Sequence, residues 1–184
     1  MNKKMIIKAI EYAKKAHDGQ FRKGGKGIPY IVHPLEVSNI IKERGGSIEE
    51  QVAGVLHDVV EDCVGYTLND ISNHFGTPIS LLVDYVSESD KSLPWKERKV
   101  RYINRLKVAN LGAVIVSAGD KLHNLRCTLD DVRTDGKCNW DMFNSSASEQ
   151  LWFYESLIEI YKDKGLSAYS DEMEVIIDEV KNFV

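Results

Sequence analysis

Between Val52 and Asp62 the residues Val52, Val55, Leu56, Val59 and Val60 recur at spacings of three and four, the pattern of one apolar helical face. The opposite face then carries His57, Asp58, Glu61 and Asp62, with Glu61 one turn beyond His57 and Asp62 one turn beyond Asp58. An ordinary solvated face would mix in Lys or Arg, and this one has neither. Two readings account for it: an acidic exposed helix, or carboxylates and an imidazole gathered around something positive. A divalent cation is the simplest candidate for the second. Helical periodicity of this kind dominates the chain and alternating strand patterns are scarce, which predicts an all-α protein.

The chain has 184 residues, 43% of them hydrophobic, which suits a single domain over 1–184 with a real core. A net charge of -4 argues against a dedicated nucleic-acid binder, although a local basic stripe is compatible with it. Cys63, Cys127 and Cys138 are an odd number without a Cys-x-x-Cys pair. That argues against a disulfide framework or a thiolate zinc site and fits a reducing cytoplasm. The start from Met1 to Ile10 is basic, but Lys8 and Glu11 interrupt any apolar run, so it reads as an amphipathic helix rather than a signal peptide. No stretch approaches the ~18 apolar residues of a membrane span. The expectation is a soluble cytoplasmic protein with no membrane partner.

A first helix is predicted from about Lys3 to His17, ended by Asp18-Gly19. Phe21 to Tyr30 is rich in glycine and positive charge. Its Gly-Lys lacks the Ser or Thr of a P-loop and Pro29 follows, so a solvated loop is the plainer reading and a basic lip over an anion the sharper one. Pro34 fits the first turn of a second helix reaching Arg44, with His33 at its entrance. Ser47 and Glu50 form a capping box for the third, which closes around Cys63 to Gly65. Thr67 caps a short helix to Phe75, and Gly76-Thr77-Pro78 opens another to Ser87. The polar connector Ser87 to Ser92 is too short to separate domains. Pro94 then opens a helix through Lys107 whose Lys96, Arg98, Lys99, Arg101, Arg105 and Lys107 read as a solvated basic face. A long helix follows, in which Ala113-Val114-Ile115-Val116 leads to Asp120, an acid costly to bury unless paired or metal-bound. Asn124 shares its face. The chain closes with a helix through Trp152, Tyr154 and Leu157 and a shorter one from about Asp171.

Separate helices thus offer His33, the pair His57-Asp58, and Asp120, a mixed N/O set suited to Mn²⁺, Fe²⁺ or Zn²⁺ rather than Ca²⁺. This arrangement resembles the HD-domain phosphohydrolases. His17-Asp18 repeats the pair but precedes a helix-ending Gly without acids one turn on, so it reads as structural or loop-anchoring. The resemblance narrows with Gly19-Gln20-Phe21-Arg22-Lys23, Ile28-Pro29-Tyr30-Ile31-Val32-His33-Pro34-Leu35-Glu36-Val37, Leu56-His57-Asp58-Val59-Val60-Glu61-Asp62 and Gly119-Asp120-Lys121-Leu122-His123-Asn124-Leu125-Arg126. These four ordered motifs resemble the RelA/SpoT-type alarmone hydrolase domain of the stringent response. Leu93-Pro94-Trp95-Lys96-Glu97-Arg98-Lys99 resembles its small stand-alone members. The likeness covers about Tyr12 to Arg126, with the helices of 139–184 expected to pack on that core and no synthetase or regulatory half within the sequence.

The resemblance implies an HD-domain helical bundle and a manganese-dependent hydrolase, other divalent metals being alternatives. Its reaction would remove the 3′-pyrophosphate of guanosine tetra- or pentaphosphate (ppGpp or pppGpp), giving GDP or GTP and pyrophosphate. It implies that His33, His57, Asp58 and Asp120 hold the metal and that Glu61 and Asp62 orient and activate water. Asn124, Arg22 and Lys23 would meet the nucleotide, and Arg98 and Lys99 its phosphates. Tyr154 is also a candidate for lining the nucleotide pocket, whereas Trp140 and Trp152 read as core or cleft-wall aromatics, and His74 and His123 as surface or packing histidines. Gly119 stands where the family usually has Ala, and Cys63 and Cys127 where Thr is common, which bears on nucleotide preference more than on chemistry. The competing readings are an HD phosphohydrolase acting on another nucleotide, such as an NADPH phosphatase, and a nucleotide sensor that does not hydrolyse. The sequence sets no oligomeric state.

Overall fold

The computed structural model describes residues 2–24, 27–88, 90–135 and 145–183; Cys138 and Trp140 lie outside the described residues. Regular structure among them is helical, apart from one isolated antiparallel bridge between Phe21 and Pro29. In order come α1 (Asn2–Ala16), α2 (Val32–Glu43), α3 (Ile48–Leu56), α4 (Val59–Asp62), α5 (Leu68–Phe75), α6 (Thr77–Val86), α7 (Trp95–Lys107), α8 (Leu111–Asp135), α9 (Ala147–Asp163) and α10 (Ser167–Lys181).

The helix starts follow local chemistry. The Ser47 hydroxyl accepts from the Glu50 N–H and the Glu50 carboxylate accepts from the Ser47 N–H, closing the predicted capping box of α3. Thr67 and Asp70 do the same for α5. Ser146 and Glu149 do it for α9, a box the sequence reading passes over. Helix α10 also begins earlier than Asp171.

The stretch from Val52 to Asp62 departs from expectation in two ways. It is not one helix: α3 ends at Leu56, and α4 is a single turn beyond His57-Asp58. The break falls where the His57 side chain donates from Nδ1 to the Gly54 carbonyl at 2.8 Å, competing with the backbone ladder for that oxygen. Nor is the stretch amphipathic in the usual sense. Every residue from Gln51 to His57 is buried, so α3 runs through the interior and its polar side is buried as well.

Close helix approach brings the polar residues together. Helix α2 packs on both α3 and α8, and Ile41 of α2 sits over a glycine on each. A Cβ at Gly54 would come within 2.8 Å of Ile41 Cδ1, and one at Gly119 within 2.9 Å of Ile41 Cγ1. The missing methyls let three backbones converge, so His33 of α2, His57 after α3 and Asp120 of α8 reach one another. Helix α8 is 25 residues long, about 37 Å at 1.5 Å per residue. Its buried Ala113, Val114, Val116 and Ala118 draw Asp120 inward to 6% exposure. Helices α9 and α10 pack against the α7–α8 side, with Arg126 paired to Glu172 and Arg133 to Glu179.

Candidate active site

His33, His57 and Asp58 form the tightest group, each offering one ligand atom within 4.8 Å of the others. His57 Nε2 lies 3.0 Å from Asp58 Oδ2, and His33 Nε2 lies 3.5 Å from the same oxygen. Asp120 Oδ1 joins from the α8 side, 3.2 Å from His33 Nε2 and 3.7 Å from His57 Nε2. All four residues singled out from the sequence as candidate metal ligands are therefore brought together.

Charge in this cluster is tightly coupled. Burial disfavours the charged His57 imidazole, yet the Asp58 and Asp120 carboxylates outweigh it and hold its pKa well above the usual histidine value. Burial wins at His33 and lowers its pKa. Burial opposes ionisation of Asp58 and Asp120 too; the imidazoles hold Asp58 below the usual range, and Lys121 with the imidazoles holds Asp120 well below it. The tautomers carry the chemical point. Because Nδ1 of His57 donates to a carbonyl, the neutral ring turns its Nε2 lone pair toward two carboxylates. That Nε2 is buried with no hydrogen-bond partner. A proton or a metal ion resolves the arrangement, and the two imidazoles and two carboxylates fit a divalent cation of the Mn²⁺, Fe²⁺ or Zn²⁺ type.

Glu61 and Asp62 flank the cluster but differ in surroundings. Glu61 Oε2 accepts from the Glu88 N–H at 2.9 Å, and burial, helped by Asp58 and Asp62, raises its pKa above the usual glutamate value. Asp62 is more exposed; its Oδ1 takes Lys91 Nζ at 2.6 Å and its Oδ2 lies 3.3 Å from the Tyr30 hydroxyl. Lys91 also stands 3.5 Å from Glu61 Oε1. The positive charge missing from the Val52–Asp62 stretch is thus supplied in part by protein, by Lys91 from a distant connector and by Lys121 paired with Asp120.

The described residues of the basic loop are mostly exposed, as a solvated loop requires, but two backbone hydrogen bonds tie its ends together. The Arg22 N–H donates to the Ile28 carbonyl at 2.9 Å, and the Tyr30 N–H to the Gln20 carbonyl at 2.9 Å. This pinned turn aims Tyr30 inward, where its hydroxyl donates to Asp58 Oδ2 at 2.6 Å. His17, from the other His-Asp pair, is buried behind it, stacked on Tyr30 at 4.8 Å and 3.3 Å from Cys63 Sγ. Arg22 Nη2 donates to Asn124 Oδ1 at 2.9 Å, and Asn124 Nδ2 donates to Asp120 Oδ1 at 2.6 Å. Asn124 therefore bridges Arg22 to the cluster. Lys23 is exposed, and no contact among the described residues ties it there. Tyr154 is half-buried on α9; burial raises its pKa to about 12, with Lys121, Asp120 and Arg22 among the charges it feels.

The basic run on α7 is divided: Lys96, Arg101 and Lys107 are exposed, as a solvated face requires, and the other three bases are not. Arg98 and Lys99 are mostly buried and both pair with Glu88, while Arg105 pairs with Asp84. Lys91 and Glu88 give no local signal of a role, because their partners sit on other elements, and His123 lies inside a quoted motif but meets His33 only across two helices. Tyr30 sat inside a quoted motif and its hydroxyl was the available clue.

Comparison with known proteins places this geometry. A model of the HD domain matches residues 9–139. Human MESH1, a guanosine-3′,5′-bis(diphosphate) 3′-pyrophosphohydrolase, is 38% identical over 173 residues that cover 88% of this chain and 96% of the human one. A Vibrio cholerae enzyme of the same descriptive name is 37% identical over 131 residues, which are only 18% of its length. Among solved structures, a metazoan SpoT ortholog described as hydrolysing ppGpp superposes with a TM-score of 0.71 at 26% identity, covering 96% of this chain and 93% of that one. The chain belongs to the HD-domain family, in the branch that holds the MESH1 proteins. HD domains bind a divalent metal, and the His33, His57 and Asp58 cluster is where this chain has the donors for one. Among the described residues no helix is long and apolar enough to cross a membrane.

Proposed function

We propose that this chain is a Mn²⁺-dependent phosphohydrolase that removes the 3′-pyrophosphate of ppGpp or pppGpp, leaving GDP or GTP. The observation that carries the reading is a half-buried carboxylate, Glu61, fixed by the Glu88 N–H beside a two-imidazole, two-carboxylate cluster in a chain that spans nearly all of human MESH1. His33, His57, Asp58 and Asp120 hold the cation. When bound, it polarises a phosphoryl oxygen and lowers the pKa of water, so that a nucleophile exists near neutral pH. Glu61 takes the proton of the attacking water, and a pKa raised above the ordinary glutamate value makes it a stronger base. Asp62, held between Tyr30 and Lys91, orients that water.

Arg22, Lys23, Asn124 and Tyr154 form the nucleotide side. Arg22 and Asn124 already touch each other, so the nucleotide enters a preassembled contact. Arg98 and Lys99 meet phosphate only by giving up Glu88, an anion-for-anion exchange. The internal pairing of α7 supports a small nucleotide over nucleic acid as partner. The pairless cysteine composition supports the cytoplasm as the compartment, and residues 1–184 act as one hydrolase domain. The test is purified protein with Mn²⁺ offered ppGpp and NADPH in parallel, with products separated by anion exchange. GDP and pyrophosphate from ppGpp support the reading. Orthophosphate from NADPH supports a phosphatase instead, and tight ppGpp binding without product supports a sensor.

A further inference from the structure

We infer that His123 is a positioning residue that fixes the tautomer and ring orientation of His33, and so sets how tightly the cluster holds its cation. The inference rests on the metal reading above and concerns a residue that sequence reasoning leaves among surface or packing histidines. Nδ1 of His33 and Nδ1 of His123 are 2.7 Å apart, a distance at which one ring must donate and the other accept. His33 Nε2 points at Asp58 and Asp120, so it is the atom that faces the cation, and a ligating nitrogen carries no proton. The neutral His33 proton is therefore on Nδ1, and His33 is the donor. His123 must accept through Nδ1 and carry its own proton on Nε2.

The surroundings agree with that assignment. His123 Nε2 lies 3.7 Å from Cys127 Sγ one turn along α8, a weak acceptor for the remaining N–H. His33 itself is 1% exposed and has no room to swing, and the two rings lie tilted with centroids 4.8 Å apart. Each imidazole of the cluster thus has its second nitrogen spoken for: His57 by the Gly54 carbonyl, His33 by His123. The His57 partner is backbone and no substitution removes it. The His33 partner is a side chain, which makes it separable by mutation. Removing an outer partner of a metal-binding histidine typically lowers metal affinity by about 10- to 100-fold.

The experiment is Mn²⁺ titration of the full chain by calorimetry, with thermal melts as a folding control, for wild type, His123→Phe, His123→Ala and His123→Asn. Phe keeps the ring but has no acceptor, while Asn restores an acceptor oxygen near the position of Nδ1. Expected are affinities lowered by about 10- to 100-fold for Phe and Ala, and most of the loss recovered by Asn. Wild-type affinity in the Phe variant overturns the inference. If Phe fails to fold, the comparison of Ala with Asn decides, and equal affinities in those two overturn it as well. Wild-type protein that takes up no Mn²⁺ overturns the metal reading, and this inference falls with it.

Discussion

Glu61→Gln separates the chemistry of the site from its architecture. In the wild type one carboxylate oxygen is held by the Glu88 N–H at 2.9 Å, and the amide oxygen of Gln takes over that bond without loss. Lys91 keeps its 2.6 Å partner on Asp62. Nothing that holds the cation is touched. What disappears is the ability to accept a proton, and a positioned general base is worth about 10²- to 10⁴-fold, or about 2.7–5.4 kcal/mol of barrier at 1.36 kcal/mol per tenfold. Turnover of ppGpp should fall by that factor while Mn²⁺ affinity, read by calorimetry, stays at the wild-type value. The wild-type pH profile should show the same group: kcat/KM falls as pH drops through the Glu61 pKa, which lies above the ordinary glutamate value because the side chain is buried beside Asp58 and Asp62. For stability the sign is opposite to that of a paired carboxylate. A pKa raised by folding means the stability contribution is present below the unfolded pKa and lost as pH rises through the folded one. The ionised Glu61 therefore costs stability at neutral pH, and the Gln variant should melt no lower than wild type. Full turnover in Glu61→Gln would refute the base assignment, and loss of Mn²⁺ with turnover would make Glu61 a ligand instead.

Other perturbations probe the frame. Tyr30→Phe removes the 2.6 Å bond donated to Asp58, and Mn²⁺ affinity should drop by about 10- to 100-fold in calorimetry with the His17 stacking intact. Lys91→Ala takes a positive charge from beside Glu61 and Asp62, so the acid limb of kcat/KM should move to higher pH. Gly54→Ala puts a methyl 2.8 Å from Ile41 Cδ1 and 3.4 Å from the Ser38 backbone, an overpacking cost of about 1–3 kcal/mol. At about 2–4 °C per kcal/mol that lowers Tm by about 2–12 °C, and adding Ile41→Val should recover part of it.

Much of this was legible in the chain because its information is local. Ser47 with Glu50, and Thr67 with Asp70, announce helix starts by residue type alone, and helical spacing reaches almost every element. His33, His57, Asp58 and Asp120 stood out as ligand-type residues on separate helices, and the fold does bring them within reach. What stayed hidden depends on contacts between distant segments. The helix break at His57 needs a side chain to claim a backbone oxygen, which no periodicity encodes. Lys91 finds Asp62 across 29 positions and Arg98 finds Glu88 from a neighbouring element, so half of a run of bases that reads as solvated is paired off the helix. Gly119, noted only as a departure from Ala, turns out to sit where Ile41 leaves no room for a methyl.

The most direct test of the central claim is hydrolysis of ppGpp with Mn²⁺ in ¹⁸O-labelled water, followed by ³¹P NMR of the products. Water attack at phosphorus, with Glu61 as base, is expected to release intact pyrophosphate carrying one ¹⁸O while GDP stays unlabelled, and Asp58→Ala should give no turnover. Label in GDP, orthophosphate in place of pyrophosphate, or undiminished turnover in Asp58→Ala would contradict it.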